Sequence, residues 1–265
     1  MIKNNSNHSF KPTVVYRDSS YTMQLNDLDE VVTFYKEMKE QTHEEIYKNF
    51  YSNAEHFNEG ILKTQFNHCL GFGELAFSWN WYLLVKKMSP SFKFLEIGVY
   101  KGRVLSLIQM LSNLLDKEVK LWGITPLSNA NDKYSNYDQV DYLKEIQMSF
   151  VKSNVSFEHT EIIKGFSQDE DVIVQAKKNG MYDIIFIDGC HDYDVVCLDI
   201  QNYSKLLKPG GYLVLDDASL YLPHAYGEFL GHPDVGKAIL DELENHTEFV
   251  HLYAVGHNRI WRKNE

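Results

Sequence analysis

The amino-acid sequence predicts an α/β fold: a mostly parallel sheet of seven strands, closed by an antiparallel hairpin and preceded by a helical segment. Three observations predict it. Asp183-Ile-Ile-Phe-Ile-Asp188 and Tyr212-Leu-Val-Leu-Asp-Asp217 are short apolar runs that end in acid, as expected of strands buried on both faces with charge at one edge. Between them Val195, Val196, Leu198, Ile200, Tyr203 and Leu206 fall near helical spacing, so the unit reads strand, crossover helix, strand. Near the C-terminus, Phe249 to Ala254 and Asn258 to Trp261 flank Val255-Gly-His257 as a hairpin.

In chain order, residues up to Pro12 read as a polar tail and Thr13 to Tyr16 as a short extended piece. Leu28, Val31, Val32, Tyr35 and Met38 share a helical face, and Thr42 with Glu45 has capping-box spacing before Ile46, Tyr47 and Phe50. Glu74 to Met88 is apolar nearly all round, which makes it a core helix or an interface, the latter compatible with a homo-oligomer. Phe92 to Ile97 is the first sheet strand. Gly98-Val-Tyr-Lys-Gly102 turns the chain into a helix striped by Val104, Leu105, Ile108, Leu111 and Leu115. Lys120 to Thr125 is the second strand, and Val155 to Thr160 reads as the third, followed by Gly165-Phe-Ser-Gln-Asp169. Lys208-Pro-Gly-Gly211 ends the crossover helix. Ser219 to Gly236 is a long connection, either a lid or binding loop or a surface insertion, and Asp234 is placed to cap a helix running to Leu243. Residues 1–90 thus form a tail and helical cap, and 91–265 the sheet domain.

Composition narrows the function. A net charge of −11 over 265 residues argues against a nucleic-acid partner, because phosphate binding needs a basic face. Hydrophobic content of 44% suits a soluble enzyme, and there is neither an apolar leader nor a run able to span a bilayer. Cys69, Cys190 and Cys197 lack the spacing of a zinc or redox motif. They read as reduced thiols, which points to the cytoplasm.

If the strands ending at Asp188 and Asp216-Asp217 are neighbours, three carboxylates meet at the carboxyl edge, where open α/β sheets bind ligands. Their mutual repulsion is relieved by a cation between them. An oxygen-liganded ion such as magnesium keeps positions for water or substrate, and His191 is placed to act as a general base. The competing role is structural, since strand-end aspartates also cap the following helix.

Phe94-Leu-Glu-Ile-Gly-Val-Tyr-Lys-Gly102, Gly165-Phe-Ser-Gln-Asp169, Ile187-Asp-Gly-Cys-His191, Leu207-Lys-Pro-Gly-Gly211 and Asp216-Asp217 together resemble the Rossmann-like class I S-adenosylmethionine-dependent methyltransferases. Within that class the site layout is similar to metal-dependent O-methyltransferases such as catechol O-methyltransferase. It is closer to the macrocin and mycinamicin sugar O-methyltransferases, whose relatives include the cephalosporin hydroxylase group. The resemblance implies that Glu96, Gly98, Tyr100 and Gly102 bind the methionine part of S-adenosylmethionine, with Asp188 beside it. Thr125 stands where the family holds ribose with an acid, and Ser167, Gln168 and Asp169 lie at the adenine. It further implies that Asp188, Asp216 and Asp217 bind Mg2+ or another divalent cation, and that His191 deprotonates the acceptor. The acceptor would be a sugar or glycoside, with Tyr221, Tyr226 and Phe229 as candidate substrate contacts that could equally be core or subunit contacts. Other activities stay open: a catechol-type methyltransferase, a Rossmann-type oxidoreductase or hydroxylase, or a non-catalytic cofactor-binding subunit.

Overall fold

The computed structural model describes residues 25–37, 39–244 and 246–265. The expected tail, the extended piece at Thr13 to Tyr16 and Met38 lie outside them.

Among the described residues four α-helices precede the sheet. Helix α1 (Leu28–Lys36) begins with a capping box, in which Asp27 accepts a bond from the first turn and Glu30 reaches back to the Asp27 N–H. The capping box expected at Thr42 is not formed. Helix α2 (Thr42–His56) starts at Gln41 without a side-chain cap, and the Thr42 hydroxyl accepts the Lys39 N–H instead. A 3₁₀ turn at Phe57–Gly60 leads into α3 (Ile61–His68), which the sequence reading did not anticipate. Helix α4 (Leu75–Lys87) is buried from Leu75 through Val85. Trp81 meets Phe94 and Phe186 edge-on at 5.7 and 5.0 Å, so the all-round apolar pattern is that of a core helix lying on the sheet.

The α/β part then alternates: β1 (Ser91–Ile97), α5 (Arg103–Leu114), β2 (Glu118–Thr125), α6 (Tyr142–Lys152), β3 (Thr160–Lys164), α7 (Glu170–Lys178), β4 (Tyr182–Ile187), α8 (Tyr193–Tyr203), β5 (Leu207–Leu215), α9 (Pro233–Glu242), β6 (Phe249–Val255) and β7 (Asn258–Lys263). The seven strands form one sheet in the order β3-β2-β1-β4-β5-β7-β6. Strands β1 to β5 are parallel, and β7 pairs antiparallel with both β5 and β6. This is the expected Rossmann-like sheet with its closing hairpin.

Alternation along β4 explains the layering. Ile184 and Phe186 join the core under α1, α2, α4 and α5, while Ile185 and Ile187 join the opposite core under α7, α8 and α9. A strand buried on both faces has no polar side until its end, which is why charge collects at residue 188.

The third strand lies later in the chain than the sequence pattern predicts. Val155 and Phe157 are partly buried loop residues packed on the first core, and the strand is Thr160–Lys164, whose Ile162 and Ile163 pair with Gly123 and Ile124. Only that register carries Gly165 to the edge where Thr125 ends. The crossover helix also stops earlier than expected, at Tyr203, and Lys208-Pro-Gly-Gly211 lies inside β5. The connection after Asp217 ends at His232, the N-cap of α9, so Asp234 sits in the first turn of that helix.

Candidate active site

The strand ends are pinned by main-chain bonds that continue the ladders. Asp188 N–H donates to Ile97 O at 2.8 Å, and Asp216 N–H donates to Ile187 O at 3.0 Å. The carboxyl edges of β1, β4 and β5 therefore present Glu96, Asp188, Asp216 and Asp217 side by side. Asp217 has φ 54°, a left-handed conformation that few residues other than glycine, asparagine and aspartate adopt at low cost. It turns the chain so that Ala218 N–H donates to His257 O at 2.8 Å and Ala218 bridges Gly231. The loop after β5 is thus tied down, and it delivers Phe229 and His232 to the edge.

His191 is nearly buried between two acids. Its Nδ1 lies 2.7 Å from Asp132 Oδ2, and its Nε2 lies 2.9 Å from Asp217 Oδ2. Burial pushes the imidazole pKa down, but the two carboxylates outweigh it and raise the pKa above the ordinary histidine value. Burial alone would raise the Asp132 carboxyl, yet the N–H groups of His191, Tyr134 and Ser135 hold it below the usual range.

The acids nearest the sheet are pushed the other way. Burial, reinforced by the charge of Asp216, raises the Glu96 carboxyl to about 8, and its Oε2 has no hydrogen-bond partner. Burial and the neighbouring Asp216, Asp217 and Glu96 raise Asp188 well above the carboxylate range. Asp216 Oδ1 accepts from Asn258 Nδ2 at 2.6 Å and lies 3.2 Å from His257 Nε2. Among the described residues, the ion-pair partners of Asp132, Asp216 and Asp217 are all histidines.

Two adjoining cavities open on this edge. One of about 670 Å³ is lined by Glu96, Gly102, Asp216, Asp217 and Phe229 among others. Another of about 290 Å³ is lined by Thr125, Asp132, Ser167, Gln168 and Val195 among others. Gly98, Tyr100, Tyr137 and Asp188 line both. A ligand lying along the edge would pass from one to the other over the Gly98 turn. Gly98 has φ +95°, and a Cβ there would stand 1.9 Å from Asp188 O. The glycine is therefore needed for packing of the β1 turn on the β4 turn, whatever binds above it.

Of the residues singled out from sequence, Glu96, Gly98, Tyr100, Gly102 and Asp188 line the larger cavity, and Thr125, Ser167 and Gln168 the smaller. Asp169 lines neither; its carboxylate accepts the Phe166 N–H at 3.1 Å and shapes the turn before α7. Thr125 Oγ1 likewise accepts the Leu127 N–H at 3.2 Å. Phe229 lines the larger cavity, 5.1 Å from His232 and 5.2 Å from His257. Tyr221 instead packs under Gly236 of α9, and Tyr226 on Tyr47 at 5.4 Å. Sequence reasoning missed His232, His257, Glu74 and Asp132. Their only local signal is position, since His232 and His257 each immediately precede a regular element.

Three-donor groups whose donor atoms lie within 4.8 Å of one another are, among the described residues, His191, Asp217 and His232, and Asp216, Asp217 and His257. Asp188 joins neither.

Residues 95–218 match the model of a family described as a methyltransferase domain. Among curated proteins the chain is similar to the uncharacterized protein R132 of Acanthamoeba polyphaga mimivirus, 36% identical over 131 residues that make up 48% of this chain and 52% of R132. The chain thus spans about half the length of that relative. Among solved structures, cofactor-bound Rv0187 from MTB superposes with a TM-score of 0.53 at 16% identity, covering 77% of this chain and 88% of that one. The O-methyltransferase NovP superposes with a TM-score of 0.53 at 13% identity, covering 90% of this chain and 98% of NovP. At these identities the likeness is one of fold. The fold is the Rossmann-like one of these solved methyltransferases, and residues 95–218 are similar to a methyltransferase domain. Among the described residues no helix is long and apolar enough to cross a membrane.

Proposed function

We propose that this chain is an S-adenosylmethionine-dependent O-methyltransferase that, with a divalent cation, methylates a hydroxyl of a sugar or glycoside bearing a neighbouring oxygen. The observation that carries the reading is the meeting of the two cavities at Gly98 and Asp188, beside His191 and the acid pair Asp216-Asp217. In this reading the smaller cavity takes the adenosine, with Ser167 and Gln168 at the base and Thr125 at the ribose. Glu96, Gly98, Tyr100 and Gly102 receive the methionine part. The larger cavity keeps room for the acceptor, whose ring meets Phe229.

The donor set fits a divalent cation: adjacent carboxylates, nearly buried, whose counter-charges among the described residues are imidazoles. Asp188, Asp216 and Asp217 would hold Mg2+ or another divalent metal, which would supply a lowered pKa at an acceptor hydroxyl and a preference for acceptors with two neighbouring oxygens. The protein's own part is orientation and proton transfer. Asp132 holds the Nδ1 side of His191, and Nε2, which faces Asp217 at 2.9 Å, is the nitrogen that takes the acceptor proton once Asp217 turns to the cation. Positioning of the hydroxyl in line with the sulfonium methyl supplies the rest of the rate.

Methyl transfer from labelled S-adenosylmethionine to a panel of nucleotide sugars, glycosides and catechols tests the proposal. Turnover of at least one sugar or glycoside is expected. Methylation of catechols alone would replace the acceptor class and leave the chemistry in place. A second reading, a hydroxylase, is favoured by one observation: His191, Asp217 and His232 offer two imidazoles and a carboxylate within reach of one ion, a donor set used by non-haem iron oxygenases. Oxygen consumption by the iron-loaded protein, with no methyl transfer to any acceptor, would favour it.

A further inference from the structure

We infer that His257 is itself a ligand of the site's cation, so that the ion is held by an imidazole nitrogen together with Asp216 and Asp217. The inference rests on the cation-dependent reading above and specifies its donor set.

The geometry around the ring supports this at both nitrogens. Nε2 lies 3.2 Å from Asp216 Oδ1 and 3.9 Å from Asp217 Oδ1. Two ligands each ~2.1 Å from an ion stand roughly 3.0–3.4 Å apart at octahedral or tetrahedral angles, so these atoms need little movement to share one. Nδ1 lies 3.2 Å from Glu74 Oε1, and Glu74 is held in turn by the Tyr47 hydroxyl. Metal-bound histidines commonly turn their second nitrogen toward a carboxylate, which fixes the ring and strengthens its donor nitrogen.

The surroundings hold the ring in place beforehand. Phe77 meets it edge-on at 4.7 Å, and His257 is only 6% exposed. Its carbonyl accepts the Ala218 N–H at 2.8 Å, and the next residue, Asn258, donates to Asp216 at 2.6 Å. Gly256, at φ +53°, makes the tight hairpin turn that aims the ring inward. One imidazole among oxygen donors shifts preference from magnesium, which favours oxygen ligands alone, toward manganese, iron(II) or zinc.

Manganese(II) provides the test. Pulsed electron paramagnetic resonance of the manganese-loaded full chain is expected to show ¹⁴N coupling that His257→Asp removes, because that variant keeps an oxygen ligand and still binds the ion. His232→Gln should leave the coupling intact. Manganese is expected to bind at least tenfold more tightly than magnesium, with the ratio collapsing in His257→Asp. Glu74→Gln should weaken manganese binding by roughly 10- to 100-fold. Bound manganese without nitrogen coupling in the unaltered protein, or coupling that survives His257→Asp, overturns this inference and leaves the cation-dependent reading standing. No manganese binding at all overturns both.

Discussion

Oδ2 of Asp132 accepts from His191 twice, from the ring at 2.7 Å and from the main-chain N–H at 3.1 Å. One carboxylate from the loop after β2 therefore fixes both the backbone and the side chain at the turn after β4. His191→Ala is expected to lower kcat by roughly 10²- to 10⁴-fold, while calorimetry gives an unchanged Kd for S-adenosylhomocysteine. Asp132→Asn should lower kcat by less, because the base remains but its tautomer is no longer imposed. An undiminished single-turnover rate in His191→Ala would remove the histidine from the chemistry.

Exhaustive chelation should abolish turnover, and a divalent salt should restore it. Asp216→Ala removes one of two adjacent acids in a site whose described counter-charges are imidazoles, so activity should be lost across the metal range tested. Full turnover after chelation contradicts the cation's role.

Gly98→Ala should destabilise the fold by about 2–5 kcal/mol, from a left-handed backbone and the overpacking of its Cβ against Asp188 O. Gly189→Ala, whose Cβ would meet nothing closer than 3.4 Å, serves as the control. Chemical denaturation of the two variants without ligand checks this; equal stabilities would mean that the turn can shift.

Away from the site, His43 and His251 flank Tyr35 beside Arg259. Burial lowers the pKa of His43, and burial with the Arg259 and His43 charges holds His251 well below its ordinary value. The folded chain thus resists protons that the unfolded chain accepts near pH ~6.5. Because stability rises with pH where the unfolded state binds more protons, the contribution of this pair should be full above about pH 6.5 and fall below it. Denaturant unfolding between about pH 7.5 and 5.5 measures this, and His251→Gln should flatten the dependence.

The sheet was legible because its strands are buried on both faces: Phe94, Ile184 to Ile187 and Leu213 to Leu215 are apolar without interruption, and charge resumes only at the edge. The same property misled at β3, an edge strand with a short apolar pair, where Val155 and Phe157 offered a stronger pattern but pack as loop. The acids at 188, 216 and 217 were legible for the same reason as the strands. His232, His257, Glu74 and the role of Asp132 were not, because each reaches the site from a loop or cap whose return path is set by tertiary contacts such as Ala218 to Gly231. The aromatic residues of the loop after β5 could not be sorted from composition, and only Phe229 faces the cavity.

The placement of β7 between β5 and β6 has a consequence during synthesis. Until residues 249–263 have been made, β5 offers its outer edge unpaired and the acids behind it lack His257. At ~5–20 residues per second the ribosome needs roughly 2–10 s to cover that interval. During it the nascent chain displays an open strand edge, which invites pairing with other chains. A truncated product would keep β5 as its edge strand for its whole lifetime, whereas in the finished chain the edge on that side is β6.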